Sequence, residues 1–588
     1  IRGDFNAVFQ GCYSARIQIK QRNRAAEVAL LDAERWTAVS DVAAGGWGGA
    51  REPSDGALER AWEKVLLAQF HDVICGCHSD AVFGEAMRDL ESAVGTANRR
   101  REAALQRIAE RVTTPGGSVS GPGNAAPVSL VVFNSLSWPR TDIARATVGI
   151  SEREVYEISL VDDAGGPVAV QMEEVERYPD GGLKNATFAF LAENVPATGY
   201  RTYRLVHGGA ESEPHSLASK GDVVAGGIEH YPHVQSIENE HWVVQFDGWT
   251  GVITSLRDKE AGDEYVDRGR RVANTVVKQA DYGDPWGINA PCRGGATVPT
   301  DRPFPFPEPY EANFSHNYGG QGHTGHGPVY AEFNISSPFG TGSRTQQVRV
   351  YRGVRRIDFV TTLVNEDEWV RYRIAFPTPL REGEIWREIP FGAVEQPEGE
   401  FPAQNWLDYS DGTRGLALLN RGLPGGNVTD GVLMLSVLKC TAIRGEPTEG
   451  AFEKGRRHRF EYALLPHPGD WRDALVWRAG MELNNPLIVR KVVGGSGELG
   501  SSGGFAETRP AGVVLSAIKP VGGATLVRVY EARGRRARGS VTFGQQIAAA
   551  RSADLLGEPE RQKVFFAERR LEFHLRPFEI KTFLVQFK

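Results

Sequence analysis

The sequence predicts a multidomain protein: an N-terminal three-helix bundle followed by mainly antiparallel β-sandwich domains. Three observations lead there. The opening segment carries three runs with helical apolar spacing. A Pro/Gly/Ser stretch, "TTPGGSVSGPGNAAP" at 113–127, then has no periodicity. Beyond it, short β-branched and aromatic runs alternate with turn residues to the end of the chain. At 588 residues the chain is too long for one hydrophobic core, so roughly three to five domains are expected.

The first helix is expected over 22–42, with Val28, Leu31 and Trp36 on its apolar face. The second, 57–73, places Leu58, Trp62, Val65, Leu66 and Phe70 near the 3, 4, 7 spacing. The third, 79–112, carries Val82, Met87, Leu90, Val94, Leu105 and Ile108. "AAGGWGG" at 43–49, "PSDG" at 53–56 and Gly76 separate them. Together, residues 1–112 read as the bundle and 113–127 as a linker.

The β-region includes "SLVVFNSL", "HWVVQFDGWTGVITSL", "QQVRVYRGVRRIDFVTTLV", "GVLMLSVLKC", "TLVRVYEARG" and "EIKTFLVQF". It is too long for one ordinary sandwich. Gly/Ser-rich stretches at 207–227 and 494–505 divide it into a small sandwich, 128–206, a large one, 228–493, and a C-terminal one, 506–588.

Composition narrows the function classes. A net charge of −7 gives no polyanion-binding character, and the basic runs Arg99–Arg101 and Arg533–Arg538 read as solvated faces, so no nucleic-acid partner is expected. No apolar run approaches the roughly 18–20 residues of a membrane helix. Cys12, Cys75, Cys77, Cys292 and Cys440 are odd in number and irregularly spaced; this is no disulfide framework and favours a reducing, cytoplasmic setting. The first residues have no signal-peptide profile. The chain begins at Ile1 rather than a methionine and is strand- or loop-like from the outset with no disordered leader, so it reads as the downstream portion of something longer.

Chemistry concentrates in "LLAQFHDVICGCHSDAV", 66–82. A neutral His71 imidazole at a helix end can coordinate zinc, and Asp72 can orient an imidazole or accept a substrate hydroxyl. On pattern alone, a histidine and aspartate satisfying backbone groups at a helix end remains open. Cys75, Cys77, His71 and His78 crowd too closely for a self-contained zinc knuckle, and buried free thiols fit better.

"AWEKVLLAQFHDVICGCHSDAV" resembles the helix-end signature of glycoside hydrolase family 38, the zinc-dependent retaining α-mannosidases. "FNAVFQGCYSARIQIKQRNR" at 5–24 resembles the entry to that family's three-helix middle domain. "FNSLSWPRTDIA", "IENEHWVVQFDGWTGVITSLRDKEAG", "FEYALLPHPGDWRDA", "ELNNPL" and the terminal "LRPFEIKTFLVQF" resemble its β-domains in the same order. The resemblance implies that the large β-domain is a supersandwich-type domain. It also implies a missing N-terminal catalytic domain, upstream of Ile1, that carries the nucleophile, the acid/base and most zinc ligands.

Carried over residue by residue, the resemblance makes His71 a Zn2+ ligand, Asp72 a contact to sugar hydroxyls, and Phe9 an aromatic lining the sugar site. The implied reaction hydrolyses α-linked mannose with retention, which requires two carboxyls about 5 Å apart. A mannose-containing carbohydrate is the implied partner, and this chain alone is expected to be inactive. Mannosylglycerate-type substrates, a non-catalytic carbohydrate-binding or interaction module, and a homo-oligomer stay open.

Two further constellations carry plainer readings. Asp281, Asp284, Trp286 and Asn289 in "DYGDPWGINAPC" suit sugar binding, but also an exposed turn held by Asp and Gly. His316, His323 and His326 in "FSHNYGGQGHTGHG" read as a mobile glycine-rich loop too loose to preorganise a metal.

Overall fold

The structure, a computed structural model, describes residues 9–43, 56–114, 128–208, 224–228, 231–267, 269, 272–281, 283–287, 312–494 and 497–588. Most of the linker, residues 209–223 of the first β-boundary, Asn289 and Cys292 lie outside the described residues. It is mainly antiparallel β-sheet with few helices. The chain divides into two units, one of Ile1–Glu27, Trp62–Ala93 and Gly221–Asn484, the other of Val28–Ala61, Val94–Lys220 and Asn485–Lys588.

The helices are α1, Ile17–Ala43; α2, Ala57–Ala68; α3, His71–Ile74; and α4, Asp80–Ala109. α1 begins before residue 22 because Ile17, Ile19 and Lys20 are all buried; tertiary packing sets its start, not a periodic stripe. The helix expected over 57–73 stops at Ala68, and a separate single turn, α3, follows. The buried face of α2 is Ala61, Val65 and Ala68, whereas Leu66, Leu67 and Phe70 are exposed. Two residues assigned to the apolar face from the sequence, Leu66 and Phe70, therefore lie outside it.

In the first unit, sheets of four, six and nine strands share one core containing Trp242, Phe246, Phe333, Phe359, Leu418, Leu433 and Tyr462. Strand Ile357–Val364 alternates buried and half-buried residues, as one-faced burial requires. Val432–Cys440 is buried at all nine positions, which explains its uninterrupted apolar run. Tyr330–Phe339 and Gly342–Tyr351 form a tight hairpin in which Gly340 takes a positive φ of 63°. The segment holding His323 and His326 is a strand paired with Tyr330–Phe339, not a loop. Its glycine content hid the ladder.

In the second unit, Val128–Asn134 lies between Gly199–Gly208 and Ile488–Val493. Ile488–Val493 was expected to end the large β-domain; its pairing with Val128–Asn134 moves it to the small sandwich. No local signal specifies so distant a partner. Phe188, Phe190, Val132 and Tyr203 fill that core. Two four-stranded sheets from residue 506 onward enclose Val527, Val541, Phe573, Phe583 and Val585.

Candidate functional site

Gln69 ends α2 by turning its amide back to α1, donating to Asn23 Oδ1 at 3.1 Å and Glu27 Oε1 at 2.7 Å. Phe70 then leaves the helix with φ −55° and ψ 139°, and its carbonyl accepts the N–H groups of Val73 and Ile74 to start α3. His71 and Asp72 thus sit in the first turn of a one-turn helix. Their side chains are 78% and 62% exposed, with His71 Nε2 3.4 Å from Asp72 Oδ2. The Phe70 and His71 ring centroids are 4.3 Å apart.

The backbone beneath this pair is held firmly. The Asp72 carbonyl contacts His78 Nδ1 at 3.2 Å and accepts from the Cys77 thiol at 3.8 Å. Gly76 turns the chain at φ +85°, and a Cβ there would lie 2.7 Å from the Ala15 carbonyl oxygen. At the start of α4, Arg16 donates to Asp80 Oδ1 at 2.5 Å and Gly450 N–H to Asp80 Oδ2 at 3.0 Å. Partial burial works against ionisation of Asp80, but the Arg16 and Gly450 hydrogen bonds prevail and hold its carboxyl below the usual value. Burial, reinforced by Arg16, pushes His78 down to about 4, so its ring is neutral.

Phe9 is half-exposed and precedes a 3-10 turn, Gln10–Tyr13. Its segment reaches the His71 region through Cys12, whose ionisation is coupled to that of Cys75, and through Ala15, which packs on Gly76. The acidic-aromatic loop meets the same segment: Gly11 N–H donates to the Trp286 carbonyl at 2.8 Å, and a Cβ on Gly11 would lie 2.2 Å from the Gly287 oxygen. Asp284 Oδ1 accepts the N–H groups of Trp286 and Gly287, so this carboxylate shapes the turn. Asp281 is fully buried against Lys439. Sequence reasoning missed the partnership of Trp286 with the Phe9 segment, because nothing local in either stretch encodes it.

His316, His323 and His326 do not converge on a site: His316 is in a 3-10 turn with Nδ1 2.8 Å from Thr275 Oγ1, and the other two end one exposed strand. Among the described residues, no group of three or more His, Cys, Asp or Glu side chains could hold a metal ion. His71 offers one exposed imidazole. Among the described residues, no helix is long and apolar enough to cross a membrane.

Three family models match in chain order. The α-mannosidase middle domain matches residues 7–108, the glycosyl hydrolases family 38 C-terminal domain 237–442, and the family 38 C-terminal β-sandwich domain 512–583. The chain belongs to glycoside hydrolase family 38. It is 25% identical to human alpha-mannosidase 2C1 over 99% of its own length and 50% of that protein. It is 21% identical to alpha-mannosidase G of Dictyostelium discoideum over 98% and 51% respectively. The chain therefore spans about half the length of the curated relatives it matches. A crystal structure of an alpha-mannosidase from Enterococcus faecalis V583 shares its fold, with a TM-score of 0.77 at 18% identity over 99% of this chain and 68% of that one. A second family 38 structure from Enterococcus faecalis gives 0.79, also at 18% identity, with 99% and 71% covered.

Proposed function

We propose that this chain is the C-terminal part of a zinc-dependent retaining α-mannosidase that hydrolyses α-linked mannose in oligosaccharides or small mannosides, with α1, α2 and α4 forming the family's three-helix middle domain. The observation that carries the reading is the outward His71–Asp72 pair on a braced turn, within a chain matched along its length by family 38 proteins. His71 presents its imidazole as one zinc ligand, the remaining ligands coming from a catalytic domain upstream of Ile1. Zinc, when bound, supplies a Lewis acid that orients sugar hydroxyls.

Asp72 accepts a hydrogen bond from a mannose hydroxyl, and Phe9 offers an apolar face to the sugar ring. Neither transfers a proton. Nucleophile and acid/base belong to the upstream domain, so the chain alone has no turnover. Leu66 at 60%, Leu67 at 67% and Phe70 at 50% exposure precede His71 in the chain, with the Phe70 ring against its imidazole, and exposed apolar side chains there suit burial against another domain. A cytoplasmic setting accords with the odd number and irregular spacing of the cysteines.

The test is proton NMR of an aryl α-mannoside treated with the protein extended through its natural upstream sequence. Retention gives α-mannose as the first anomer released. First appearance of the β-anomer, or equal turnover by the His71→Ala variant, contradicts the reading.

A further inference from the structure

Three thiols and a buried lysine meet at the turn behind α3. The Cys75 and Cys77 sulfurs are 2.9 Å apart, under about 1 Å longer than an S–S bond. The Cys12 thiol, from the turn Gln10–Tyr13, lies close enough to influence the ionisation of Cys75. Lys20 of α1 is 6% exposed, and its ammonium donates to the Ala15 carbonyl. We propose that Cys75 and Cys77 are a redox pair, in which Cys75 is the attacking thiolate and Cys77 resolves it to a Cys75–Cys77 disulfide.

Geometry and charge both favour this assignment. An extended Cys-Gly-Cys segment separates its terminal Cα atoms by about 7 Å, near the upper limit for a disulfide. Gly76 at φ +85° folds the segment, and the sulfurs already touch. Cys75 is partly exposed, whereas Cys77 is buried.

Lys20 needs a balancing anion, and the groups facing it are Cys12, Cys75, Cys77 and the cation Arg16. Hydrogen bonding from Cys12, partly offset by burial, then from Cys77, together with Lys20, lowers Cys75 below the ordinary thiol range. Burial raises Cys77, with further contributions from Cys75 and Asp72; the hydrogen bond to Cys75 and burial raise Cys12. His78 is neutral. One thiolate, on Cys75, is therefore shared by the cluster.

The co-reactant is a low-molecular-weight disulfide. Cys75 thiolate attacks one of its sulfurs, forming a mixed disulfide and expelling one thiolate. Cys77, giving up its proton to solvent, then attacks the Cys75 sulfur and expels the second thiolate. Two protein thiols lose two electrons, and the small disulfide gains them to become two thiols.

The test treats the reduced chain with oxidised glutathione and maps its peptides by mass spectrometry. The expected product is a peptide spanning Cys75–Cys77 that has lost two hydrogens and carries no glutathione, while the conservative Cys77→Ser variant traps glutathione on Cys75. Alkylation of Cys75 by iodoacetamide should reach its plateau below about pH 7, and Lys20→Met should slow it about tenfold at pH 6. A Cys12–Cys75 disulfide, a lasting glutathione adduct on wild-type Cys75, or a Cys75 that reacts only after denaturation overturns the proposal.

Discussion

Lys439 Nζ lies 2.5 Å from Asp281 Oδ2, and both side chains are wholly buried. Lys439 is the penultimate residue of the fully buried strand Val432–Cys440, and its N–H donates to the Ser14 carbonyl at 3.0 Å, so the pair joins the approach to α1 to the acidic-aromatic loop. Removing the ammonium deprives the buried Asp281 carboxylate of its closest opposite charge, although the Gly283 N–H still donates to it. Lys439→Met should cost about 3–5 kcal/mol by urea denaturation, and adding Asp281→Leu should restore much of it. If the single variant costs under about 1 kcal/mol, the pair does not brace the loop.

The exposed end of α2 should behave oppositely. Leu67 is 67% exposed, so Leu67→Glu should change the stability of this chain by no more than about 0.5 kcal/mol. In the protein with its upstream domain, the same change should lower the melting temperature, because a charge would then be buried without a partner. Equal melting temperatures of the two extended proteins would show that this surface faces water.

Gly76→Ala should destabilise the chain by about 2 kcal/mol or more. Its positive φ disfavours any L side chain, and the new Cβ would meet the Ala15 carbonyl. Chemical denaturation checks this, and a cost near zero would contradict the described turn.

Acid should act through His316. Burial, then the Arg344 guanidinium, pushes this histidine from 6.5 to about 4. Its folded value lies below its unfolded one, so the unfolded chain takes up the proton first. Stability from this group is complete above pH 6.5, falls as the pH drops towards about 4, and is then constant. The full loss is on the order of 3 kcal/mol. His316→Asn should lessen the pH dependence of the melting temperature across that window, His78 and His458, also lowered to about 4 by burial, supplying the remainder; an unchanged slope would mean the ring is not held neutral by burial.

The strands were legible where local pattern suffices. "QQVRVYRGVRRIDFVTTLV" became Gly342–Tyr351 and Ile357–Val364, and "GVLMLSVLKC" became Val432–Cys440, because alternation or continuous apolarity records burial directly. Ile488–Val493 was misassigned because its partner, Val128–Asn134, is remote in sequence. His71 and Asp72 were visible as a pair at a helix end. Their separate turn was not, since the break depends on Gln69 reaching Asn23 and Glu27 on α1. The cysteines were read as buried thiols, but the lysine among them comes from another helix, which spacing within 66–82 could not reveal.

The most direct measurement is zinc content together with aryl α-mannoside hydrolysis, for this chain and for the protein extended through its natural upstream sequence. The account predicts about one zinc per molecule and turnover only in the extended protein, both lost in His71→Ala, with the melting temperature of this chain unchanged by that substitution. Turnover by the chain alone, or an extended His71→Ala protein that keeps both zinc and activity, would contradict it.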